Sequence, residues 1–353
     1  MDLSKKENLY KPVIIRKESE ALPLIKNKGT NYIDAFSHQL KELFFIVQTQ
    51  FIGQNKAQVY KTKEFKDFCV KSKNNFVHVH FPWNNSLVKT MPRAEYLELK
   101  TNRNRDLITK EEQDILRGKR IGVFGMSVGS NIAFVMTQAG ISNEITIADF
   151  DVLDTTNLNR ILAGIHQIGL PKVTVAARRI YEDNPFAKVN IMPKGVDIKN
   201  LETLLKNKKL DLIIEEIDEI GMKIHTRILA MKYKIPVVMI TDNGDGVVLH
   251  IERYDLGYKK IFEKDVNYWK ELLKKEMTKE VAGGIIMNDI VGGPQNIDPR
   301  MLKSVKRVMN RELVSWSQLG SAAILGGVVA TVVVKKILLK EDNDLCVVKH
   351  IFV

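Results

Sequence analysis

Glycines and an acid follow two short apolar segments in the middle of this 353-residue chain. The first segment, Arg120–Phe124, leads into a loop bounded by Gly125 and Gly129, and the second, Glu144–Ala148, ends at Asp149. Glycine lets the backbone approach a phosphate closely, and a helix that follows such a loop directs free N–H groups at the phosphate. Asp149 lies 24 residues after Gly125, a distance at which an acid can bind a ribose hydroxyl. This order of strand, loop, helix, strand and acid predicts a nucleotide site, for NAD as well as for ATP.

An amide and two cations extend this pattern. Asn157 and Arg160 belong to the segment Asn-Leu-Asn-Arg, and Lys172 follows twelve residues after Arg160 at the start of a predicted helix. The guanidinium fork of arginine matches phosphate oxygens, and two cations beyond the ribose acid favour a triphosphate over the nicotinamide half of a dinucleotide. Lys172 could instead be a plain surface lysine. Arg160 could instead form an ion pair with a nearby aspartate, which would be Asp149, Asp151 or Asp154.

Four acids in five positions end a third apolar segment, namely Glu215, Glu216, Asp218 and Glu219. Carboxylates at a strand end beside a phosphate are natural ligands of Mg²⁺, and Asp218 is the candidate ligand. The alternative is the acidic first turn of a solvated helix. The segment 242–246, Asp-Asn-Gly-Asp-Gly, resembles a metal loop by composition. It lacks the acidic ligand expected six positions later, so a tight turn between two strands is predicted there.

Strand and helix patterns alternate from Arg120 to Tyr254, which predicts an α/β fold with a Rossmann-like, mostly parallel sheet and helices on both faces. Strands are predicted at Arg120–Phe124, Glu144–Ala148, Lys188–Met192, Leu210–Glu215, Pro236–Thr241 and Val247–Tyr254, with a last strand at Asp344–Val353. Helices are predicted at Ser130–Ala139, Lys172–Asn184, Leu201–Asn207, Glu219–Lys234, Met301–Asn310 and Leu319–Leu339. Because ligands bind beyond the carboxyl ends of such strands, Gly125, Asp149 and Asp218 are expected at one edge of the sheet.

Residues 1–100 are predicted to form a smaller α+β domain of unknown role, and residues 101–353 the nucleotide-binding domain. Apolar residues at helical spacing predict a helix at Tyr32–Val47. Alternation predicts a strand at Phe76–Phe81, whose His78 and His80 are expected to face solvent.

Composition narrows the functional class. The net charge of +12 favours anionic partners, but the charge is spread out, so a solvated basic surface is expected and nucleic acid is not an expected partner. The two cysteines, Cys69 and Cys346, form no Cys-x-x-Cys pair, which excludes a cysteine zinc site within one chain and suits the reducing cytoplasm. The apolar segment Ala322–Val334 has about thirteen residues, too few for a bilayer, and is predicted to be a buried or subunit-interface helix. No membrane contact is expected.

From Arg103 to Asp255 the chain resembles the ThiF/MoeB/HesA family, the ubiquitin-activating-enzyme-like adenylyltransferases. The helix at Gly326–Leu339 resembles the closing helix of the family. The matching segments are Asn-Arg-Asn-Arg at 102–105, Gly125 and Gly129, Ala-Asp-Phe-Asp at 148–151, Asn-Leu-Asn-Arg at 157–160, Gly-Leu-Pro-Lys at 169–172, Asn-Pro at 184–185, and Asp218.

The resemblance implies a role for each matching residue. The Gly125–Gly129 loop, with Ser127, would hold ATP, Asp149 would bind the ribose, and Asp151 is a further candidate for binding the cofactor. Asn157, Arg160 and Lys172 would contact the phosphates, and Asp218 would lie beside Mg²⁺. Arg105, or Arg103, would reach the ATP of a partner subunit, which implies a homodimer with two composite sites. A substrate carboxylate would attack the α-phosphate of ATP and release pyrophosphate.

Several departures from the family pattern leave alternatives open. The glycine loop is one residue shorter than usual, Glu219 replaces a common asparagine, and Lys223 stands where an arginine is common. The zinc cysteines and the transfer cysteine are absent, so no thioester step is expected. The activated carboxylate could belong to a ubiquitin-like protein, a peptide or a small acid. A catalytically inactive nucleotide-binding scaffold is one alternative, and an NAD(P)-dependent oxidoreductase, which leaves Arg160, Lys172 and Asp218 unexplained, is another.

Overall fold

The computed structural model describes residues 9–341, 344 and 346–351. The chain divides into two compact units. The smaller unit comprises Met1–Thr109 with Asn184–Phe186, and the larger comprises Lys110–Asp183 with Ala187–Val353. Each unit has hydrophobic clusters of its own.

The smaller unit is built on a four-stranded sheet of order β1-β3-β4-β2, in which β2 and β4 are parallel and the other pairs antiparallel. Its strands are β1 (Val13–Ile15), β2 (Asn31–Asp34), β3 (Val77–Phe81) and β4 (Ser86–Thr90). Its helices are α1 (Glu18–Lys26), α2 (Phe36–Val47), α3 (Lys56–Val59), α4 (Lys63–Ser72) and α5 (Arg93–Lys100). Phe44 is fully buried among the rings of Phe45, Phe51, Phe65 and Phe68.

The prediction of a helix at Tyr32–Val47 is wrong for the first turn. Asn31–Asp34 forms strand β2 instead, and the helix begins at Phe36. Asp34 accounts for the change, because its carboxylate accepts hydrogen bonds from the backbone N–H of Ser37 (3.0 Å) and from the Ser37 hydroxyl (2.6 Å). An aspartate that accepts from the third residue after it marks the start of a helix, and the apolar Ile33 only mimics helical spacing.

The prediction that His78 faces solvent is also wrong. His78 is 2% exposed, and its ring packs against the rings of Tyr32 and Phe76. Burial lowers the pKa of His78, and the nearby charge of Lys89 lowers it further. His80 is half-buried and hydrogen-bonded to Asn85 (3.3 Å).

The larger unit contains a seven-stranded sheet of order β13-β10-β9-β8-β5-β6-β7. Its strands are β5 (Arg120–Phe124), β6 (Glu144–Ala148), β7 (Lys188–Met192), β8 (Leu212–Glu215), β9 (Val237–Asn243), β10 (Gly246–Glu252) and β13 (Cys346–Ile351). The strands from β7 through β9 run parallel, and β10 is antiparallel to both of its neighbours. The predicted mostly parallel α/β sheet is therefore confirmed. Of the predicted last strand, Leu345, Phe352 and Val353 lie outside the described residues.

Helices cover both faces of this sheet. They are α6 (Lys110–Arg117), α7 (Val128–Gln138), α8 (Lys172–Asp183), α9 (Ile198–Lys206), α10 (Ile220–Tyr233), α11 (Val266–Leu272), α12 (Lys279–Ile285), α13 (Pro299–Met309) and α14 (Gly320–Leu339). Successive residues of a strand point to opposite faces. Along β9, Ile240 approaches Gly326 of α14, whereas Met239 contacts Lys223 and Arg227 of α10.

The apolar helix α14 is twenty residues long, so the expectation that it is too short for a bilayer is wrong. In the described part of the chain it is the one helix long and apolar enough to cross a membrane, with a mean hydropathy of 2.1. Half of that apolar stretch is buried within the unit, where α14 packs on α7, β9 and β10. Gly326 and Gly327 are buried and allow this close approach, because a Cβ at Gly326 would lie 2.8 Å from Ile240. The prediction of a buried helix is therefore confirmed for the face of α14 that packs on α7, β9 and β10.

The segment after Tyr254 contains elements that the sequence pattern did not predict. These are the short strands β11 (Lys260–Ile261) and β12 (Lys264–Asp265) and the helices α11 and α12. They enclose a cluster around the fully buried Trp269, whose indole N–H donates to the carbonyl of Ile261 (2.7 Å).

Candidate functional site

Predicted site residues of the larger unit follow the carboxyl ends of the neighbouring strands β5 and β8. These two parallel strands are neighbours in the sheet, but the chain runs from β5 outward to β6 and β7 before it returns to β8. Such a reversal of strand order opens a crevice beyond the strand ends, where ligands bind in open α/β sheets. Gly125 follows β5 and Asp218 follows β8, so both lie at this position.

Only glycine can occupy position 125. Its φ is +96°, and a Cβ there would lie 2.1 Å from the carbonyl oxygen of Glu216. The close approach is fixed by two backbone hydrogen bonds, from Gly125 to Ala148 (2.8 Å) and from Glu216 to Phe124 (2.7 Å). Gly125 therefore sets the turn that brings the chain from β5 to the start of α7.

Gly129 lies in the first turn of a helix and not in the loop where it was predicted. Helix α7 begins at Val128, two residues earlier than predicted, so Gly129 belongs to its first turn and is buried. A Cβ on Gly129 would lie 3.0 Å from Val123 of β5, so the residue permits close packing of helix on strand. Ser127 occupies the N-cap position of α7.

Asp149 fixes the glycine loop through its carboxylate. Oδ2 accepts a hydrogen bond from the backbone N–H of Met126 (2.6 Å), and Oδ1 accepts one from the N–H of Asp151 (2.7 Å). Burial raises the pKa of Asp149, and these two hydrogen bonds work against the rise. Asp151 in turn accepts from Lys172 Nζ (2.7 Å), whose side chain is only 11% exposed. Lys172 is therefore a positioned lysine and not a free surface lysine.

Arg160 is held beside the N-terminus of α7. Its Nε donates to Ser127 Oγ (3.1 Å), and its Nη1 donates to the carbonyl of Thr156 (3.2 Å) and to Asn159 Oδ1 (3.0 Å). Its backbone carbonyl accepts from Asn131 Nδ2 of α7 (2.9 Å). Among the described residues Nη2 has no hydrogen-bond partner, which leaves it available to a ligand.

The structure does not show the ion pair that was the alternative interpretation of Arg160. Among the described residues its guanidinium forms no ion pair with an aspartate at 149, 151 or 154. Burial lowers the pKa of Arg160, and the carboxylates of Asp242 and Asp218 oppose this. Burial raises the pKa of Asp242 to about 6, against the charge of Arg160.

The structure separates the four acids that follow the third apolar segment. Glu215 is fully buried and paired with Lys223 (3.1 Å) and Arg227 (2.6 Å) of α10. Glu216 accepts from the backbone N–H of Ile240 (2.8 Å). Glu219 caps α10 by accepting from the N–H groups at positions 221 and 222. Asp218 is exposed, and its carboxylate has no hydrogen-bond or ion-pair partner among the described residues. Those residues also contain no group of three His, Cys, Asp or Glu side chains that could hold a metal ion.

The remaining predicted site residues divide between the two units. Asn157 is buried, and its Oδ1 accepts from the backbone N–H of Asp154 (3.0 Å), which shapes the turn that leads to Arg160. Arg103 and Arg105 belong to the smaller unit, where Arg105 is ion-paired with Glu98.

Asn131 and Asp242 are site residues that the sequence pattern did not indicate. Asn131 lies among the apolar residues of α7 and is 1% exposed, so the apolar pattern did not single it out. Asp242 was assigned to a turn, and the hairpin of β9 and β10 confirms that turn. No pattern in the sequence indicated that Asp242, at the end of β9, is buried.

The ThiF family model matches residues 100–347. The chain is 36% identical over 177 residues to an uncharacterized protein, MT1398, of Mycobacterium tuberculosis, which is half of this chain and 24% of that protein. It is 32% identical over 139 residues to the tRNA threonylcarbamoyladenosine dehydratase of Bacillus subtilis (39% of this chain and 54% of the enzyme). It is 30% identical over 118 residues to a probable molybdopterin-synthase adenylyltransferase of Porphyra purpurea (33% and 30%). The chain thus spans between a quarter and about half of the length of these relatives.

The fold is similar to that of a solved enzyme. The crystal structure of E. coli tRNA N6-threonylcarbamoyladenosine dehydratase aligns with a TM-score of 0.50 at 21% identity and covers 70% of this chain and 98% of that chain. The same enzyme in complex with ATP aligns with a TM-score of 0.50 at 19% identity, over 71% and 98%. The family match over more than two thirds of the residues and this fold agree with the motifs from Gly125 to Asp218, and the chain belongs to the ThiF family.

Proposed function

We propose that this protein adenylylates a substrate carboxylate with ATP and Mg²⁺ and releases pyrophosphate, without a cysteine thioester step. The observation that carries the proposal is the placement of Arg160. Its guanidinium is fixed at the N-terminus of α7 through Ser127, Thr156 and Asn159, while one face of the fork, Nη2, stays unbonded. A fixed cation beside a helix N-terminus is a strong site for phosphate.

The neighbouring residues suit the other parts of a nucleotide. Asp149 orders the loop at Met126 and lies at the end of β6, where a ribose binds in this type of sheet. Lys172 is held by Asp151 at the start of α8 and adds a second cation. Asp218 is exposed and uncommitted, and a single carboxylate is sufficient for Mg²⁺, which is usually held by one or two carboxylates together with phosphates and water.

The reaction requires positioning and charge neutralisation more than proton transfer. An oxygen of the substrate carboxylate forms a bond to the α-phosphorus of ATP, and the bond from that phosphorus to the pyrophosphate oxygen breaks. Negative charge accumulates on the phosphate oxygens, and the fixed cations Arg160 and Lys172 stabilise that charge. Mg²⁺, when bound near Asp218, would neutralise further phosphate charge.

The two cysteines support a mechanism that stops at the adenylate. Cys69 belongs to the smaller unit, and Cys346 lies on strand β13. Burial raises the pKa of the Cys346 thiol, which disfavours the thiolate that a transfer step would require. The names of two relatives point to tRNA and to molybdopterin synthase as targets of those proteins, and we infer only that the target here carries a carboxylate.

A thermal-shift titration with Mg-ATP, NAD and NADP tests the nucleotide site. A ligand present at 100 times its dissociation constant adds about 2.7 kcal/mol to the native state. We expect stabilisation by Mg-ATP and loss of that stabilisation in Arg160→Ala. The matched control is Arg307→Ala, which removes an exposed arginine paired with Glu312. Stabilisation by NAD or NADP alone would indicate an oxidoreductase. Stabilisation by Mg-ATP without carboxylate-dependent pyrophosphate exchange would indicate an inactive scaffold.

We also propose that the protein is a homodimer in which Arg105, or Arg103, completes the site of the partner. Mixing Arg105→Ala protein with Arg160→Ala protein tests this idea, because a mixed dimer retains one site with both arginines. Random exchange of subunits should restore about a quarter of the activity, since half of the dimers are mixed and each has one complete site. No recovery from subunits shown to exchange would exclude a shared site.

A further inference from the structure

Asp242 is a buried carboxylate that the residues around it leave without a partner. Its side chain is 6% exposed, and neither Oδ1 nor Oδ2 accepts a hydrogen bond from any residue that the structure describes. Buried charged groups are almost always paired, because the loss of hydration is costly. An exception close to the cation of the proposed phosphate site, Arg160, therefore requires a physical explanation.

The position of Asp242 places it on the side of the sheet that holds Arg160. Asp242 lies near the end of β9, two residues after Ile240, so both side chains point to the same face. Ile240 contacts Gly326 of α14 on that face, and α14 packs against α7. Arg160 is bonded to Ser127 at the start of α7, and its charge acts on Asp242.

The other polar residues of the same turn have structural partners. Asn243 donates to the carbonyl of Asn296 (2.7 Å) and accepts from the N–H of Asp298 (2.8 Å). Asp245 accepts from the hydroxyl of Ser321 (3.2 Å). The side chain of Asp242 forms none of these hydrogen bonds, so it is not required to stabilise the turn.

Asp242 does not hold Arg160 either. The hydrogen bonds of Arg160 go to Ser127, Thr156 and Asn159, and none goes to Asp242. A phosphate bound by Arg160 would also neutralise the cation that faces Asp242. The buried carboxylate then needs a positive charge from elsewhere, and Glu216, another neighbour, is an acid.

We propose that Asp242 binds a protonated amino group of the substrate, so that the activated carboxylate belongs to an amino acid. This inference rests on the proposed function. Mg²⁺ is a poorer candidate for the site, because it dehydrates reluctantly and keeps several waters, for which a carboxylate that is 6% exposed leaves little room. An ammonium group needs only acceptor oxygens, and Asp242 offers two.

The consequence is selectivity for a nitrogen next to the carboxylate. A site built to bind a polar group of its substrate rejects analogues that lack the group, often by about 10⁴-fold, because its own buried group is then left unpaired. An ammonium group held by Asp242 would also restrict the motion of the carboxylate attached to it.

ATP–pyrophosphate exchange with paired acids tests the proposal. The probes are the nineteen amino acids with a primary amino group and, for each, the acid in which hydrogen replaces the ammonium group. We expect exchange with one or more amino acids and at least about 100-fold less with the paired acid. Asp242→Asn should reduce kcat/KM for the amino acid by a similar factor while Mg-ATP still stabilises the variant. Asp245→Asn, which removes an exposed carboxylate from the same turn, is the control and should keep both properties.

Each contrary result has a distinct meaning. Equal exchange with both members of a pair, or no exchange with any pair although Mg-ATP stabilises the protein, would overturn the role of Asp242 and leave the nucleotide site in place. A higher Mg²⁺ requirement in Asp242→Asn would identify a metal ligand and overturn the ammonium site. Absence of any Mg-ATP stabilisation in the unaltered protein would overturn the proposed function itself. The comparison of paired acids needs no variant, so it decides the question even if Asp242→Asn does not fold.

Discussion

The guanidinium of Arg160 interacts with two aspartates of different exposure. Asp218 is exposed, whereas Asp242 is 6% exposed. Arginine stays protonated at every ordinary pH, so the charge balance of this group changes only through the carboxylates. Because burial raises the pKa of Asp242 to about 6, its carboxyl group ionises within the pH range in which the folded protein can be studied.

We therefore expect Asp242→Asn to stabilise the ligand-free protein more at neutral pH than at acidic pH. The folded-state pKa of about 6 exceeds the ordinary value of 3.8 for an aspartate, so the stability linked to Asp242 is fully present below pH 3.8 and is lost as pH rises through 6. A difference of about two pH units corresponds to about 3 kcal/mol. Urea unfolding of the larger unit between pH 4 and 7.5 measures it. Asp245→Asn is the control, and a pH-independent difference for Asp242→Asn would contradict this prediction.

At the scale of elements, a buried charge network joins β8, β10 and α10. Arg227 of α10 is fully buried, and its donors lie 2.6 Å from Glu215 of β8 and 2.6 Å from Glu252 of β10. Burial alone would lower the pKa of Arg227, but Glu252 and Glu215 outweigh it and raise that pKa. The network fixes the end of β8, which is the strand that carries Asp218 into the crevice.

Arg227→Ala should destabilise the larger unit by about 3–5 kcal/mol, because it leaves the buried Glu252 without its cation and leaves Glu215 with Lys223 alone. Replacing Arg227 together with its two carboxylates, by Arg227→Met with Glu215→Gln and Glu252→Gln, should restore much of the loss. The control is Lys232→Ala, which breaks the exposed pair with Glu202 on the same helix and should change little. Urea unfolding compares the three variants. If Arg227→Ala were as mild as Lys232→Ala, the network would not be a major source of stability.

Helix α14 presents an apolar stripe on the face opposite to its buried glycines. Ile324, Val328 and Val332 follow one another at intervals of four residues and are 43–47% exposed. If the proposed homodimer uses this stripe, Val328→Glu should shift the protein from dimer to monomer in light scattering without unfolding it. Val70→Glu, at an exposed valine of α4, is the matched control and should leave the mass unchanged. A dimer that survives Val328→Glu would place the interface elsewhere.

The sequence predicts those elements best whose pattern results from burial alone. All six strands predicted between Arg120 and Tyr254 are present, because strands covered on both faces of a sheet form continuous apolar segments. Strand β2 was missed because the capping by Asp34 opposes the helical spacing of its neighbours. The elements after Tyr254 are short and stabilised by tertiary contacts around Trp269, which periodicity does not reveal.

At the scale of the whole molecule, the sequence predicted the site residues that directly follow a strand. It did not predict the residues that join the site through contacts between distant parts of the chain. Gly125, Asp149 and Asp218 follow strands that the pattern identifies. Asp242 lies 82 residues after Arg160, and its burial follows from the packing of α14 on β9. The sequence likewise did not distinguish the four acids after β8, since only the structure shows which of them have cations or N–H groups as partners.

The division into two units with separate cores predicts how the whole molecule responds to nucleotide. Calorimetry should resolve two unfolding transitions, because each unit contains its own apolar clusters, and Mg-ATP should raise the transition of the larger unit, which holds Gly125, Arg160 and Asp218. Arg160→Ala should abolish this shift and leave the transition of the smaller unit unchanged. Phe44→Ala, which removes a fully buried ring from the smaller unit, should lower only the other transition. A single transition lowered equally by both variants would show that the units unfold as one cooperative body, and nucleotide binding would then stabilise the entire chain.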